Sequence, residues 1–89
     1  MMRRHVVVRG DVQGVAFRAL CRQQAQANGL AGWVRNRNDG AVEAVFEGEQ
    51  GAVEILCSWC RQGPRHARVA NMSVTDEDLE GLTGFEIRY

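Results

Sequence analysis

The chain has 89 residues, with eleven basic and eleven acidic side chains and a formal net charge of zero. That length suits one domain over residues 1–89 with a single compact core. The charge balance argues against a protein that owes its affinity to a nucleic-acid backbone or an anionic membrane surface, so any anion binding must be local.

The N-terminus, MMRRHVVVRG, has basic residues followed by a valine run far shorter than a signal-peptide core or a membrane span. Cys21, Cys57 and Cys60 make an odd count with little sign of a disulfide framework. Together these predict a cytoplasmic protein. His5 to Arg9 is rich in β-branched residues and reads as a first strand, with Val6 and Val8 on one face and Val7 on the other.

Residues 10 to 18 read GDVQGVAFR. Two glycines bracket a short polar loop between the strand and a helix-like run. A tight glycine-permitted loop beside a helix N-terminus presents successive backbone N–H groups to an anion. A plain strand-to-helix turn is the other reading, and the glycine spacing alone does not separate the two. The nucleoside-triphosphate loop is excluded because it ends in GK[ST], and all eleven basic residues here are arginine. The dinucleotide fingerprint GxGxxG is also absent. Whatever the loop holds is smaller than a nucleotide.

From Phe17 the period changes: Phe17, Leu20, Cys21 and Ala25 share a helical face, Arg22, Gln23 and Gln26 lie opposite, and Asn28 with Gly29 supplies the stop. Gly32 to Gly48 is a hairpin, two alternating runs joined by Asn38, Asp39 and Gly40. Its second run sets Val42, Ala44 and Phe46 against Glu43 and Glu47. Ala52 to Gln62 reads as a second amphipathic helix ended by Gly63 and Pro64. Ala67 to Thr75 reads as a further strand, and Phe85 to Tyr89 as a short last one with Phe85, Ile87 and Tyr89 facing one way. This order predicts an α+β, ferredoxin-like βαββαβ sandwich: an antiparallel sheet, two helices on one face, and room for a short C-terminal edge strand. Such a fold hosts many functions.

Two residues stand out chemically. Arg18, in the first turn of a helix, is disfavoured by the positive end of the helix dipole by about 0.3–1 kcal/mol. An anion on the loop would compensate, gripped by the guanidinium fork; a solvated surface arginine is the plainer alternative. Asn36 lies in a strand that asparagine does not favour, and its amide can orient a water without any pKa shift. Ordinary turn chemistry is the competing reading there. Arg35 and Arg37 flank it and could attract an anionic substrate, although alternating charges usually mark a strand's solvated face. Cys57 and Cys60 form CSWC, but mid-helix, where no dipole lowers the first thiol's pKa. A zinc site would need two further ligands, and His5 and His66 have no helpful spacing. Trp33, Trp59 and Phe17 are simplest as core or core-edge aromatics.

GDVQGVAFR and GWVRNRNDG resemble the two signatures of the acylphosphatase family, and GPRHARV resembles a weaker third segment. The resemblance covers essentially the whole chain. It implies a ferredoxin-like enzyme that hydrolyses the carboxyl-phosphate bond of acyl phosphates, taking a small acyl phosphate as substrate and releasing inorganic phosphate. It implies no cofactor, metal, nucleic acid or membrane partner. The loop of Asp11, Val12, Gln13, Gly14 and Val15 would be the phosphate cradle, Arg18 the phosphate-binding arginine and Asn36 the residue that positions the attacking water. Asp11 departs from the basic or neutral residue common at its position, which implies a side chain turned away from the anion. Asn28 stands where leucine is usual, which concerns packing or the helix cap. The alternative is a non-catalytic phosphate-binding or regulatory module of the same fold. An RNA-recognition module would need exposed aromatics in an RNP1-like strand, and GAVEAVFEG does not supply them.

Overall fold

In the computed structural model, which describes residues 1–89, the elements run β1 (Met2–Asp11), α1 (Phe17–Ala27), β2 (Ala31–Asn36), β3 (Val42–Gly48), α2 (Gln50–Gln62), β4 (Arg68–Glu77) and β5 (Phe85–Arg88). They form one five-stranded sheet in the order β4-β1-β3-β2-β5. The expected βαββαβ order and the C-terminal edge strand are both present. The sheet differs from the antiparallel expectation in one pairing: β5 runs parallel to β2, Val34 opposite Ile87. The cause is the route of the chain. β4, antiparallel to β1, finishes at the end of the sheet where β2 begins, and the following segment crosses that end. β5 must then run the way β2 runs.

Alternation sorts the side chains into two faces. Val6, Val8, Val34, Val42, Ala44, Phe46 and Phe85 of the sheet form one core with Phe17, Cys21 and Ala25 of α1 and Val53, Leu56, Cys57 and Cys60 of α2, which puts both helices on one face. Leu20 is the exception to the predicted helical face, 38% exposed; the buried stripe of α1 follows a spacing of four, Phe17, Cys21 and Ala25. Asn28 caps α1, its side-chain amide donating to the Gln24 carbonyl. No helix is long and apolar enough to cross a membrane.

The opposite face carries charges that pair across the strands. β1 runs beyond both ends of the predicted strand, His5 to Arg9, and β4 runs past its predicted end at Thr75 while starting at Arg68, one residue later than predicted. The register sets Arg3 against Glu77 on this face and Arg4 against Asp76 on the helix-facing side at the sheet edge, so those charges are satisfied within the ladder. Glu43 and Glu47 lie on this face as expected, yet both are buried. Glu43 accepts from Arg35 at 2.6 Å and meets His5 at 2.6 Å. Glu47 accepts from Arg3 at 2.6 Å and from the backbone N–H groups of Glu80, Gly81 and Leu82. One carboxylate thereby ties down the segment that crosses the sheet end and feeds β5.

Burial alone would raise the pKa of the Glu47 carboxyl, but the N–H groups of residues 80 to 82 and the Arg3 guanidinium outweigh it and hold the value below normal. A depressed carboxyl pKa gives stability that is fully present above the unfolded-state value of 4.5 and lost as pH falls through the folded-state value. Glu47→Gln should therefore lower unfolding free energy at neutral pH by about 2 kcal/mol, the scale of charge-assisted hydrogen bonds, and should flatten its fall below pH 5. Urea midpoints of both proteins across pH 3 to 7 measure this; parallel pH profiles would contradict it.

Candidate active site

β1, β2 and β5 run the same way, and their C-terminal ends meet the N-terminus of α1 at one end of the sheet. A cavity of about 220 Å³ opens there, lined by Val12, Gly14, Ala16, Phe17, Arg18, Ala19, Asn36, Ile87 and Tyr89. Arg18 and Asn36, 18 positions apart in the chain, are brought into one pocket.

The chain leaves β1 through a register shift between Arg9 and Gly10. Gly10 has φ +133, and a Cβ there would lie 2.1 Å from the Arg68 carbonyl oxygen, so no larger residue fits this bend. Gly14 follows at φ +75, and Ala16 at φ 61 is the only non-glycine residue with a positive φ. A left-handed alanine costs about 1–2 kcal/mol, and strain of this kind clusters at ligand-binding sites. The backbone N–H groups of Val12 to Ala16 donate to no carbonyl or side chain in the protein. Ala16, the N-cap of α1, makes no side-chain cap bond, and no acidic residue stands in the first turn. The loop and helix end together present a row of unspent donors at the positive end of a dipole.

Arg18 takes part in no ion pair, whereas Arg3, Arg4, Arg9, Arg35, Arg37 and Arg88 do; of the unpaired arginines it alone lines the cavity. Its guanidinium carbon sits 5.1 Å from the centroid of the Tyr89 ring. Asn36, the last residue of β2, shares the helix-facing side with Val34 and has no hydrogen-bond partner within the protein for its side-chain amide. A cation without a counter-ion, a free amide and a row of free N–H groups converge on one cavity, a combination suited to an anion and a polarised water.

The remaining loop residues lie outside the lining. Asp11 is exposed at the end of β1, opposite Arg68. Val15 is half-buried against the core. The Gln13 side chain donates to the carbonyls of Arg37 and Ala41 at 2.8 and 2.9 Å. It braces the cradle against the β2–β3 turn and leaves only the Gln13 backbone for an anion. Arg35 and Arg37 point away, held by Glu43 and Asp39. Ile87 and Tyr89 were legible as apolar residues of a last strand; their place in the pocket was not, because it depends on which strand β5 joins.

The cysteines belong to the core. All three are free and buried. Burial pushes the Cys57 thiol pKa up despite the neighbouring Arg4, and contact with Cys21 and burial push that of Cys60 well up. Neither resembles an activated thiol. No group of three or more His, Cys, Asp or Glu side chains is arranged to hold a metal ion.

The family model described as Acylphosphatase matches residues 4–87. A protein named acylphosphatase from Gloeobacter violaceus is 58% identical over 86 residues, 97% of this chain and 92% of its own length. One of the same name from Pelotomaculum thermopropionicum is 53% identical over 88 residues, 98% and 96% of the two chains. Among solved structures, the acylphosphatase from Bacillus subtilis matches with a TM-score of 0.96 at 39% identity, covering 100% of each chain.

Proposed function

The chain belongs to the acylphosphatase family and hydrolyses acyl phosphates to a carboxylate and inorganic phosphate; we propose that it does so with Arg18, Asn36 and the N–H groups of the 11–15 loop. The observation that carries this division of roles is the convergence of an unpaired arginine, a free amide and unspent backbone donors on one cavity. The phosphoryl group sits on the N–H row with two oxygens on the Arg18 fork. The Asn36 amide holds a water in line with the bond from phosphorus to the acyl oxygen. As the water oxygen bonds to phosphorus, that bond breaks and its electron pair leaves on the carboxylate. The carboxylate is a weak base and needs no strong general acid, and the water's proton passes to a phosphoryl oxygen. Positioning and fixed charge supply most of the acceleration.

The relatives' names describe catalysis, which disfavours a non-catalytic anion-binding module. Residues 1–89 act as one domain on a small substrate, with neither nucleic acid nor membrane as partner. The cytoplasm is the compartment that three unpaired thiols suit. Hydrolysis of acetyl or benzoyl phosphate by the purified protein tests the activity. Its rate should be unchanged by EDTA, because no ligand set stands near the cavity. Loss in EDTA with recovery on adding a divalent ion would refute metal independence.

A further inference from the structure

We propose that Gln13 is a positioning residue for the hydrolytic step: its side chain sets the span between the phosphate cradle and the Asn36 amide, and so places the attacking water. The inference rests on the division of roles given above and adds a member to it. The two halves of the site stand on strands that are not neighbours. The cradle follows β1 and Asn36 ends β2, with β3 between them in the sheet. Backbone pairing relates them only through β3. Its first residue, Val42, is the partner of Asn36, and the last β1–β3 pair is Val8 with Val42, so the cradle stands beyond the end of the ladder.

Gln13 closes that gap. Its side-chain nitrogen donates to the Arg37 carbonyl at 2.8 Å and to the Ala41 carbonyl at 2.9 Å. Arg37 follows Asn36 in the chain and Ala41 precedes Val42, so the two carbonyls bracket the Asn36–Val42 pair. An amide nitrogen carries two protons, and both are spent on the root of the turn that carries Asn36. Neither bond is needed to satisfy the turn. The Ala41 carbonyl already accepts from the Arg37 N–H at 2.8 Å, and the Arg37 carbonyl from the Gly40 N–H at 3.2 Å. Asp39 shapes the same turn from its tip, accepting from the Ala41 N–H and pairing with Arg9 and Arg37. What the Gln13 amide adds is a fixed span between the loop that holds the phosphoryl group and the residue that holds the water. In-line attack is sensitive to that span, since a misplacement of about 1 Å can cost about 10² in rate.

A double-mutant cycle on the full chain tests this, with acetyl phosphate as substrate and inorganic phosphate as inhibitor. Gln13→Met keeps the length of the side chain and removes both donors. It is expected to lower kcat about tenfold while the phosphate inhibition constant stays within about twofold of wild type. In the Asn36→Ala background the same substitution is expected to change kcat by less than about twofold, because no amide is left to place. Gln13→Ala, which removes the chain as well, is expected to follow the same pattern. A similar loss in both backgrounds, or a phosphate constant that weakens as much as kcat falls, overturns the inference: Gln13 would then only shape the cradle. Turnover of Gln13→Met within about twofold of wild type overturns it too. Full turnover by Asn36→Ala, or none by wild type, would overturn the division of roles itself, and this inference with it.

Discussion

Arg18→Lys is expected to lose about 10²–10³ in kcat/KM although it keeps the positive charge, a loss on the scale of removing one preorganised donor from a transition state. Arg18 sits in the first turn of α1, where the dipole opposes it, without a side-chain carboxylate partner and with its guanidinium carbon 5.1 Å from the centroid of the Tyr89 ring. In the proposed site its contribution is geometry: two parallel donors facing the cradle. Lysine offers one compact, mobile ammonium that cannot bridge two phosphoryl oxygens in that plane. Arg18→Ala goes further and should weaken binding of inorganic phosphate as well as turnover, since the charge acts in both ground and transition states. The measurements are kcat/KM for an acyl phosphate and the inhibition constant for phosphate, on variants whose urea midpoints match wild type. An Arg18→Lys protein with near wild-type turnover would remove the fork from the mechanism.

Arg18 and Asn36, which line one cavity, stand out in the sequence as candidates because each breaks a local rule: a cation at a helix start, an asparagine in a strand. Places where local preference fails without local compensation tend to be functional. The β2–β3 hairpin was equally legible, its alternation and Asn-Asp-Gly turn fixing the parity that sends Asn36 toward the helices and Arg35 away. What stayed hidden depends on tertiary pairing. Glu43 and Glu47 look like solvated positions until Arg3, Arg35 and the 80–82 backbone close over them. Tyr89 reads only as an apolar residue of the last strand until β5 is known to join β2 rather than extend the other edge. The Gln13 brace joins residues 24 and 28 positions apart, a distance at which one sequence carries no pairing signal. The start of α2 was placed two residues late because no capping side chain marks it.

Asn36→Ala is expected to reduce kcat by about 10² or more, while the inhibition constant for inorganic phosphate changes little. The asymmetry follows from where the residue sits. In the proposed arrangement phosphate is held by the loop N–H groups and Arg18, and Asn36 contributes no donor to it, so the product complex keeps its partners. The amide, with no hydrogen bond inside the protein, is free to accept from a water with its oxygen and donate with its nitrogen. Loss of that anchor leaves the water mobile at the moment it must lie in line with the breaking bond. Asn36→Asp separates orientation from charge: it preserves shape, but brings a carboxylate into a cavity built for an anion, and should weaken phosphate where Asn36→Ala does not. Paired phosphate inhibition constants for Asn36→Ala and Arg18→Ala decide the division of labour. Equal weakening in both would mean that Asn36 holds phosphate, and unchanged turnover in Asn36→Ala would remove it from the site.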